Sequence, residues 1–222
     1  MNILAIDVGG THVKMLASNQ PGPRRFASGP RLTPAILVER VRALTADWPH
    51  DAITLGYPGV VAHNRIAAEP ANLGPGWIRF DFAAAFGLPV KLLNDAAMQA
   101  LGSYEGGRML FLGLGTGLGS AMIVDGLLEP MELAHMPYRK GRTYEDYLGQ
   151  AGLKRLGPRK WRKHVLAVVE LLRHALEPDS VVIGGGNAAR LALAELPPGI
   201  RLGTNANAFL GGFRVWTPSG PA

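Results

Sequence analysis

The residues of this sequence best suited to chemistry lie in four short stretches: Asp7 with Gly9-Gly10-Thr11, Asn94-Asp95, Gly115-Thr116-Gly117, and Gly184-Gly185-Gly186. Adjacent glycines let the backbone approach a ligand and turn successive N–H groups the same way, which suits a phosphate. Thr11 adds a hydroxyl, Lys14 a nearby cation, and Asp7 a carboxylate able to hold the water shell of a magnesium ion. Read alone, Asp7 to Thr11 is equally a tight turn behind a strand. The second loop, LGLGTGLGSA, tips the balance, because its alternating glycines exceed what a hairpin turn requires. Asp95 follows an apolar run and opens a helix, where a carboxylate most often caps the helix. The same junction, at the carboxyl edge of a doubly wound sheet, also suits a general base.

Several elements must position these groups. Ile3 to Ile6 is an apolar strand running into the first loop, and a second apolar stretch starts at Val13, making a hairpin with chemistry at its tip. Arg24 to Ala27 is a short third strand. Thr33 caps a helix with Pro34 at its first position, and apolar residues recur at helical spacing up to Trp48. Ala52 to Leu55 is a buried strand ending in GYPGVV, and residues 62–80, which contain Asn72 and Trp77, look irregular. Trp77 reads as a packed indole in a turn. Val90 to Leu93 is a strand delivering Asn94-Asp95 onto a helix from Ala96 to Tyr104.

Met109 to Val124 repeats the opening design of strand, glycine-rich tip with a threonine, and strand. Two such hairpins about a hundred residues apart predict two related lobes, 1–106 and 107–222, facing across a cleft, with the last helix able to return to the first lobe. Each lobe would supply half of a phosphate clamp. Glu132 and His135 stand at an E-x-x-H spacing, but two ligands without a third make no zinc site, and hydrogen bonding to a polyol is the better functional reading. Glu145 begins an amphipathic turn. A long helix runs from Pro158 to about Leu176, its start crowded with cations, which is usually just a solvated face. Ser180 to Ile183 is a strand, followed by a glycine turn opening a helix. The stretch around Gly184-Gly185-Gly186 formally matches a dinucleotide fingerprint, but no acidic residue stands about twenty positions on, where 206 is Ala, so a loop lining an adenosine or phosphate pocket fits better. The tail reads as a short helix ending at Gly211-Gly212, then a terminal strand.

Composition bounds these readings. A chain of 222 residues with 18% charged and 47% hydrophobic residues is that of a folded globular protein. Its start has no basic leader and no apolar run reaches spanning length, so a cytoplasmic protein without a membrane is expected. The absence of cysteine excludes thiol catalysis and cysteine-ligated zinc. A net charge of +6 and a pI near 9.9 favour an anionic partner such as nucleotide or polyphosphate. No aromatic base-stacking platform accompanies the basic residues, which argues against nucleic acid.

DVGGTHVK, GYPGVV, ANLGPGW, LLNDA, LGLGTGLGSA, ELAH, YEDYLG and VVIGGG, in that order, resemble the repressor, open-reading-frame and kinase (ROK) family of sugar kinases over nearly the whole chain. Within it, the chain looks most like the polyphosphate-dependent glucokinase branch, which also lacks the cysteine-rich zinc motif and keeps a Thr-Pro where Thr33-Pro34 stands here. The resemblance implies an α/β fold of the actin-like ATPase (ribonuclease H-like) type, two lobes of mixed sheet with flanking helices. It implies a glucokinase-like transfer of phosphate from ATP or polyphosphate to the 6-hydroxyl of a hexose, with magnesium and without zinc. A homodimer is the assembly such similarity suggests.

Carried onto this sequence, the resemblance makes Asp95 the catalytic base. It makes Gly59, Asn72, Asn94, Glu132, His135 and Glu145 sugar ligands. The donor and its phosphates fall to Asp7, Gly9, Gly10, Thr11, Lys14, Gly115, Thr116, Gly117, Gly184, Gly185 and Gly186, with Asp7 orienting magnesium through water. Two departures stand out: Ala134 replaces the glycine usual between Glu132 and His135, and the second lobe is short. A reduced adenosine-covering element would favour polyphosphate, with the cations from Lys154 to Lys163 as its track. A sugar-responsive repressor would need a helix-turn-helix ahead of Ile3. A non-catalytic sugar-binding member of the fold is the alternative, disfavoured by the presence of Asp95 and both loops.

Overall fold

The structure, a computed structural model, describes residues 1–191, 196–204 and 206–217. The chain divides into two units, residues 1–98 joined by the segment from Ala208, and residues 99–207.

The first unit opens with β1 (Ile3–Val8), β2 (His12–Ala17) and β3 (Arg24–Ala27), an antiparallel meander, followed by α1 (Pro34–Leu44) and β4 (Ala52–Tyr57). A small hairpin, β5 (Val61–Ala62) and β6 (Arg65–Ile66), begins one residue ahead of the stretch expected to be irregular and runs into it. Then come α2 (Phe82–Phe86), β7 (Val90–Asn94) and α3 (Asp95–Ser103). The sheet order is β3-β2-β1-β4-β7, with β4 parallel to both β1 and β7. Every residue of β4 is buried, as a strand covered on both faces must be. Thr33 caps α1 by accepting the Ile36 N–H, and Leu37, Val38 and Val41 are buried. That helix stops short of Trp48: the Thr45 N–H and hydroxyl both turn back to the Val41 carbonyl, and the indole is buried beneath the Arg24 guanidinium, 4.1 Å from its ring centre.

The second unit repeats the plan. Its meander is β8 (Arg108–Leu114), β9 (Leu118–Val124) and β10 (Leu127–Met131), followed by a 3-10 turn at Leu133–His135, α4 (Tyr144–Leu148), α5 (Gln150–Leu176), β11 (Ser180–Gly184), a 3-10 turn at Ala188–Arg190, and β12 (Ile200–Leu202). The order β10-β9-β8-β11-β12 matches the first sheet position by position, with β11 parallel to β8 and β12. The turn into β10 is Asp125-Gly126, both at positive φ (48° and 83°), a hairpin dipeptide that the sequence reading passed over. Pro130 is tolerated because β10 is an edge strand. The helix expected from Pro158 starts earlier, at Gln150, and is broken at Gly157 (φ 74°, ψ 161°), after which Pro158 opens its second segment. The expected helix after the third glycine cluster begins as the 3-10 turn at Ala188, and residues 192–195 lie outside the described part.

The tail differs from expectation. Helix α6 (Asn207–Arg214) runs through Gly211-Gly212 instead of ending there, and no strand follows among the described residues. The reason is close packing on the first unit: a Cβ on Gly212 would lie 2.7 Å from the Ala5 Cβ, so these glycines serve contact rather than termination. Thr54 of β4 donates its hydroxyl to the Gly212 carbonyl at 2.6 Å and accepts the Trp216 indole N–H at 2.8 Å, while the Lys91 ammonium donates to the Val215 carbonyl.

Candidate active site

Parallel register gathers the first unit's chemistry at one sheet edge. Asp7 pairs with Gly56, and Gly56 and Tyr57 pair with Leu93 and Asn94, so the carboxyl ends of β1, β4 and β7 are level. With strands about 4.8 Å apart, Asp7 and the Asn94-Asp95 junction stand roughly 10 Å apart along this edge. Ligands bind at such an edge in open α/β sheets.

The loop joining β1 to β2 is held from behind. The Gly9 N–H donates to the His12 carbonyl at 3.0 Å, which removes it from the set of amides expected to meet phosphate. Ser28 fixes the loop, its hydroxyl donating to the Gly9 carbonyl at 2.6 Å and its N–H to the Thr11 carbonyl at 3.0 Å. Sequence reading missed Ser28, whose only signal was a small polar residue after a strand. The N–H groups of Gly10 and Thr11 have no acceptor among the described residues, so two adjacent donors remain at the tip. A Cβ built on Gly10 would come 3.8 Å from the Asn72 Cβ, which places the exposed Asn72 beside this tip.

Asp7 is half-buried, and burial raises its pKa above the ordinary carboxylate value, partly offset by Lys14, its cross-strand partner. A half-buried carboxylate whose charge is disfavoured by burial gains from a nearby cation. One such group is what a magnesium ion held mainly by substrate phosphates and water requires, so the residues fit. Among the described residues no group of three or more His, Asp or Glu side chains could hold a metal by itself.

The strand-to-helix junction separates two roles that the sequence left merged. Asn94 is the cap: its Oδ1 accepts the N–H of Ala96 at 2.9 Å and of Ala97 at 3.2 Å, while its Nδ2 donates to the Gly59 carbonyl at 3.0 Å. An amide so engaged keeps one N–H, so Asn94 positions Gly59 and α3 more than it offers itself as a sugar ligand. Gly59 is likewise tied, its N–H donating to the Tyr57 carbonyl and its α-carbon against the Tyr57 ring, where a Cβ would sit at 2.8 Å. Asp95 shares in the capping, since its half-buried carboxylate also accepts the Ala96 N–H at 2.8 Å, but the Ala97 N–H goes to Asn94.

Asn72 belongs to a loop organised by Glu69. This carboxylate accepts the N–H groups of Gly76 (3.0 Å), Trp77 (3.1 Å) and Ile78 (3.1 Å), and those bonds, the Ile78 one above all, hold its pKa below the usual value. Trp77 is fully buried, its indole N–H on the Gly74 carbonyl and its ring 5.3 Å from that of Tyr57, as the packed-indole reading expected.

In the second unit the loop Gly115-Thr116-Gly117 is again fixed from outside. Asn187, buried and unread in the sequence, donates its side-chain N–H to the Gly115 carbonyl at 3.0 Å, and its backbone N–H to Leu114 at 2.9 Å. Glu145 accepts the Leu118 N–H at 3.0 Å and lies where a Cβ on Gly117 would be. Expected as a sugar ligand, it also shapes the glycine loop through Oε2. The third glycine cluster also divides: a Cβ on Gly184 would strike the Phe111 ring, and one on Gly185 the backbone of Leu114, so both are packing glycines, while Gly186 faces open space. Glu132 and His135 flank the buried Ala134 and are both exposed. Ala134 packs into the second unit's core, so its methyl has a place.

Residues 3–129 match the ROK family, more than half of the chain, and the chain belongs to that family. The polyphosphate glucokinase of Mycobacterium tuberculosis (strain H37Ra) is 32% identical over 146 residues, which cover 59% of this chain and 54% of that protein. The chain spans about half the length of the curated relatives it matches. Among solved structures, an inorganic polyphosphate/ATP-glucomannokinase from Arthrobacter sp. strain KM superposes with a TM-score of 0.80 at 24% identity, covering 95% of this chain and 96% of that one. A ROK family glucokinase from Streptomyces griseus, in complex with glucose and AMPPNP, has a TM-score of 0.77 at 15% identity, covering 97% and 99%. The fold is thus the actin-like ATPase fold of ROK sugar kinases, in accord with the repeated sheet order of the two units. No helix among the described residues is long and apolar enough to cross a membrane.

Proposed function

We propose that this chain is a cytoplasmic sugar kinase that transfers a phosphoryl group from polyphosphate or ATP to the 6-hydroxyl of a hexose, glucose foremost. The observation that carries this reading is the edge of the first sheet, where Asp7 and the strand end leading to Asp95 are level across β4 and the open N–H groups of Gly10 and Thr11 lie in the loop that follows β1. The names of the similar proteins agree with it.

In this reading Asp95 accepts the proton of the attacking hydroxyl, held by β7 and by a cap that Asn94 supplies. Gly10 and Thr11 hold phosphoryl oxygens through backbone donors, and Thr116 and Gly117 with Gly186 are assigned to the donor. Phosphoryl transfer needs alignment and charge neutralisation more than covalent help, and fixed amide donors give both. Bound magnesium would supply further neutralisation, with Asp7 holding it through water. Asn72, Glu132 and His135, exposed and polar, are the proposed sugar contacts, and selectivity would follow because an unpaired polar group penalises the wrong sugar.

The test is a panel of glucose, mannose and amino sugars crossed with ATP and polyphosphate in the presence of magnesium, followed by phosphorus NMR. A hexose 6-phosphate resonance is expected with at least one donor. Sugar binding without any phosphorylated product would instead establish the non-catalytic alternative.

A further inference from the structure

The net charge of the chain is concentrated in one place. Residues 138–164 hold nine of its 23 lysines and arginines and two of its 17 acids, a balance of +7 against +6 for the whole chain, so the rest is near neutral at −1. In sequence this basic stretch is two runs, Arg139-Lys140-Arg142 and Lys154 to Lys163, separated by α4. The structure joins them within the second unit. Tyr138, just ahead of the first run, shares a hydrogen bond with Nδ1 of His164, just after the second, at 3.1 Å, and its ring lies 5.0 Å from Tyr147 and 5.7 Å from His164. The Arg139 guanidinium lies over the Tyr138 ring at 5.3 Å, and that of Arg155 over Tyr147 at 5.1 Å. Burial, helped by both arginines, lowers the His164 pKa below its ordinary value.

Around it, Arg139, Lys140, Arg142, Lys154, Arg159, Lys160 and Lys163 are exposed. Lys154, Arg159, Lys160 and Lys163 have no hydrogen-bond or ion-pair partner among the described residues. Arg159 and Lys163 stand four apart on the outer face of α5, opposite the buried Trp161, Val165 and Val168, a like-charge spacing that weakens a helix unless an anion covers it.

The geometry points to a docking strip for a linear polyanion without bases, long-chain polyphosphate, resting on the proposed use of polyphosphate as a donor. Polyphosphate is favoured over nucleic acid because Tyr144 and Tyr147 are buried and Tyr138 is packed edge-on between them, leaving the strip no exposed ring on which a base could stack. Point charges suffice for phosphoryl groups.

The experiment compares the full chain with a variant carrying K154S, R159S, K160S and K163S, and with a control of equal charge loss elsewhere, R31S, R42S, R65S and R190S. Binding of fluorescent long-chain polyphosphate is read directly at several salt concentrations, beside the melting temperature. The strip variant should keep its melting temperature, weaken binding at least about tenfold near physiological salt, and flatten the slope of log K against log salt by about 3, as loss of four anion contacts implies. The control should bind as the parent does. Parent-like binding by the strip variant, or an equal loss in the control, overturns the proposal, as does tighter binding of a single-stranded oligonucleotide than of polyphosphate. Because binding is read without turnover, a strip that binds in a chain that phosphorylates no sugar would refute the kinase reading alone.

Discussion

A methyl group on Gly9 would lie 2.9 Å from the His12 carbonyl oxygen, whereas one on Gly10 would meet nothing closer than the Asn72 Cβ at 3.8 Å. The two neighbours therefore predict different outcomes. Gly10→Ala has room in the protein and, with less freedom in the unfolded chain, should leave stability unchanged or raised by about 0.4–1 kcal/mol. The added Cβ would occupy the space proposed for a phosphoryl oxygen, so kcat/KM for the donor should fall about a hundredfold. Thermal melting together with steady-state kinetics checks both, and parent-like kinetics would remove phosphate from this loop. Asp7 gives a second residue-scale prediction. Its folded pKa lies above the unfolded value, so the native state binds the extra proton and stability declines as pH rises from the unfolded pKa near 3.8 through the folded one. Asp7→Asn should then melt higher than the parent at pH 7, with the difference closing below about pH 3.8, while the magnesium dependence of turnover is impaired. Scanning calorimetry across pH decides it; a lower melting temperature for the variant at pH 7 would contradict the burial argument.

At the scale of elements, the loop carrying Asn72 depends on one carboxylate. Glu69 gathers the N–H groups of Gly76, Trp77 and Ile78, and Glu69→Gln would replace a charged acceptor by an amide that cannot serve all three equally. Because the loop positions a proposed sugar contact and not the reacting atoms, KM for the hexose should rise several-fold with kcat little changed. A fall in kcat at constant KM would show that the loop acts on chemistry instead. The strands leading into each glycine loop were legible because a strand followed by glycines states both its hydrophobic period and its break. Thr33-Pro34 likewise announced α1. What stayed hidden was set by partners distant in sequence. Gly211-Gly212 looked like a helix stop because nothing nearby reveals that Ala5 would lie beneath. Nothing near Glu145 shows that it accepts the Leu118 N–H, Ser28 offers no more than a small polar residue after a strand, and Asn187 has no local pattern.

At the scale of the molecule, one topology occurs twice, with order and direction preserved in β3-β2-β1-β4-β7 and β10-β9-β8-β11-β12. The paired hairpins foretold this duplication. The concentration of charge in residues 138–164 was only half visible, since folding brings its two runs together through Tyr138, Tyr147 and His164. The kinase reading depends on the proton acceptor proposed at the end of β7, Asp95. Because the Asn94 Oδ1 accepts the N–H groups of both Ala96 and Ala97, Asp95→Asn removes the proposed base and leaves those two caps of α3 in place, so calorimetric glucose affinity should stay within about threefold of the parent. Phosphorylation of glucose, followed with whichever donor is active, should fall by about 10²–10⁴-fold. Turnover by Asp95→Asn within a few-fold of the parent would contradict the account.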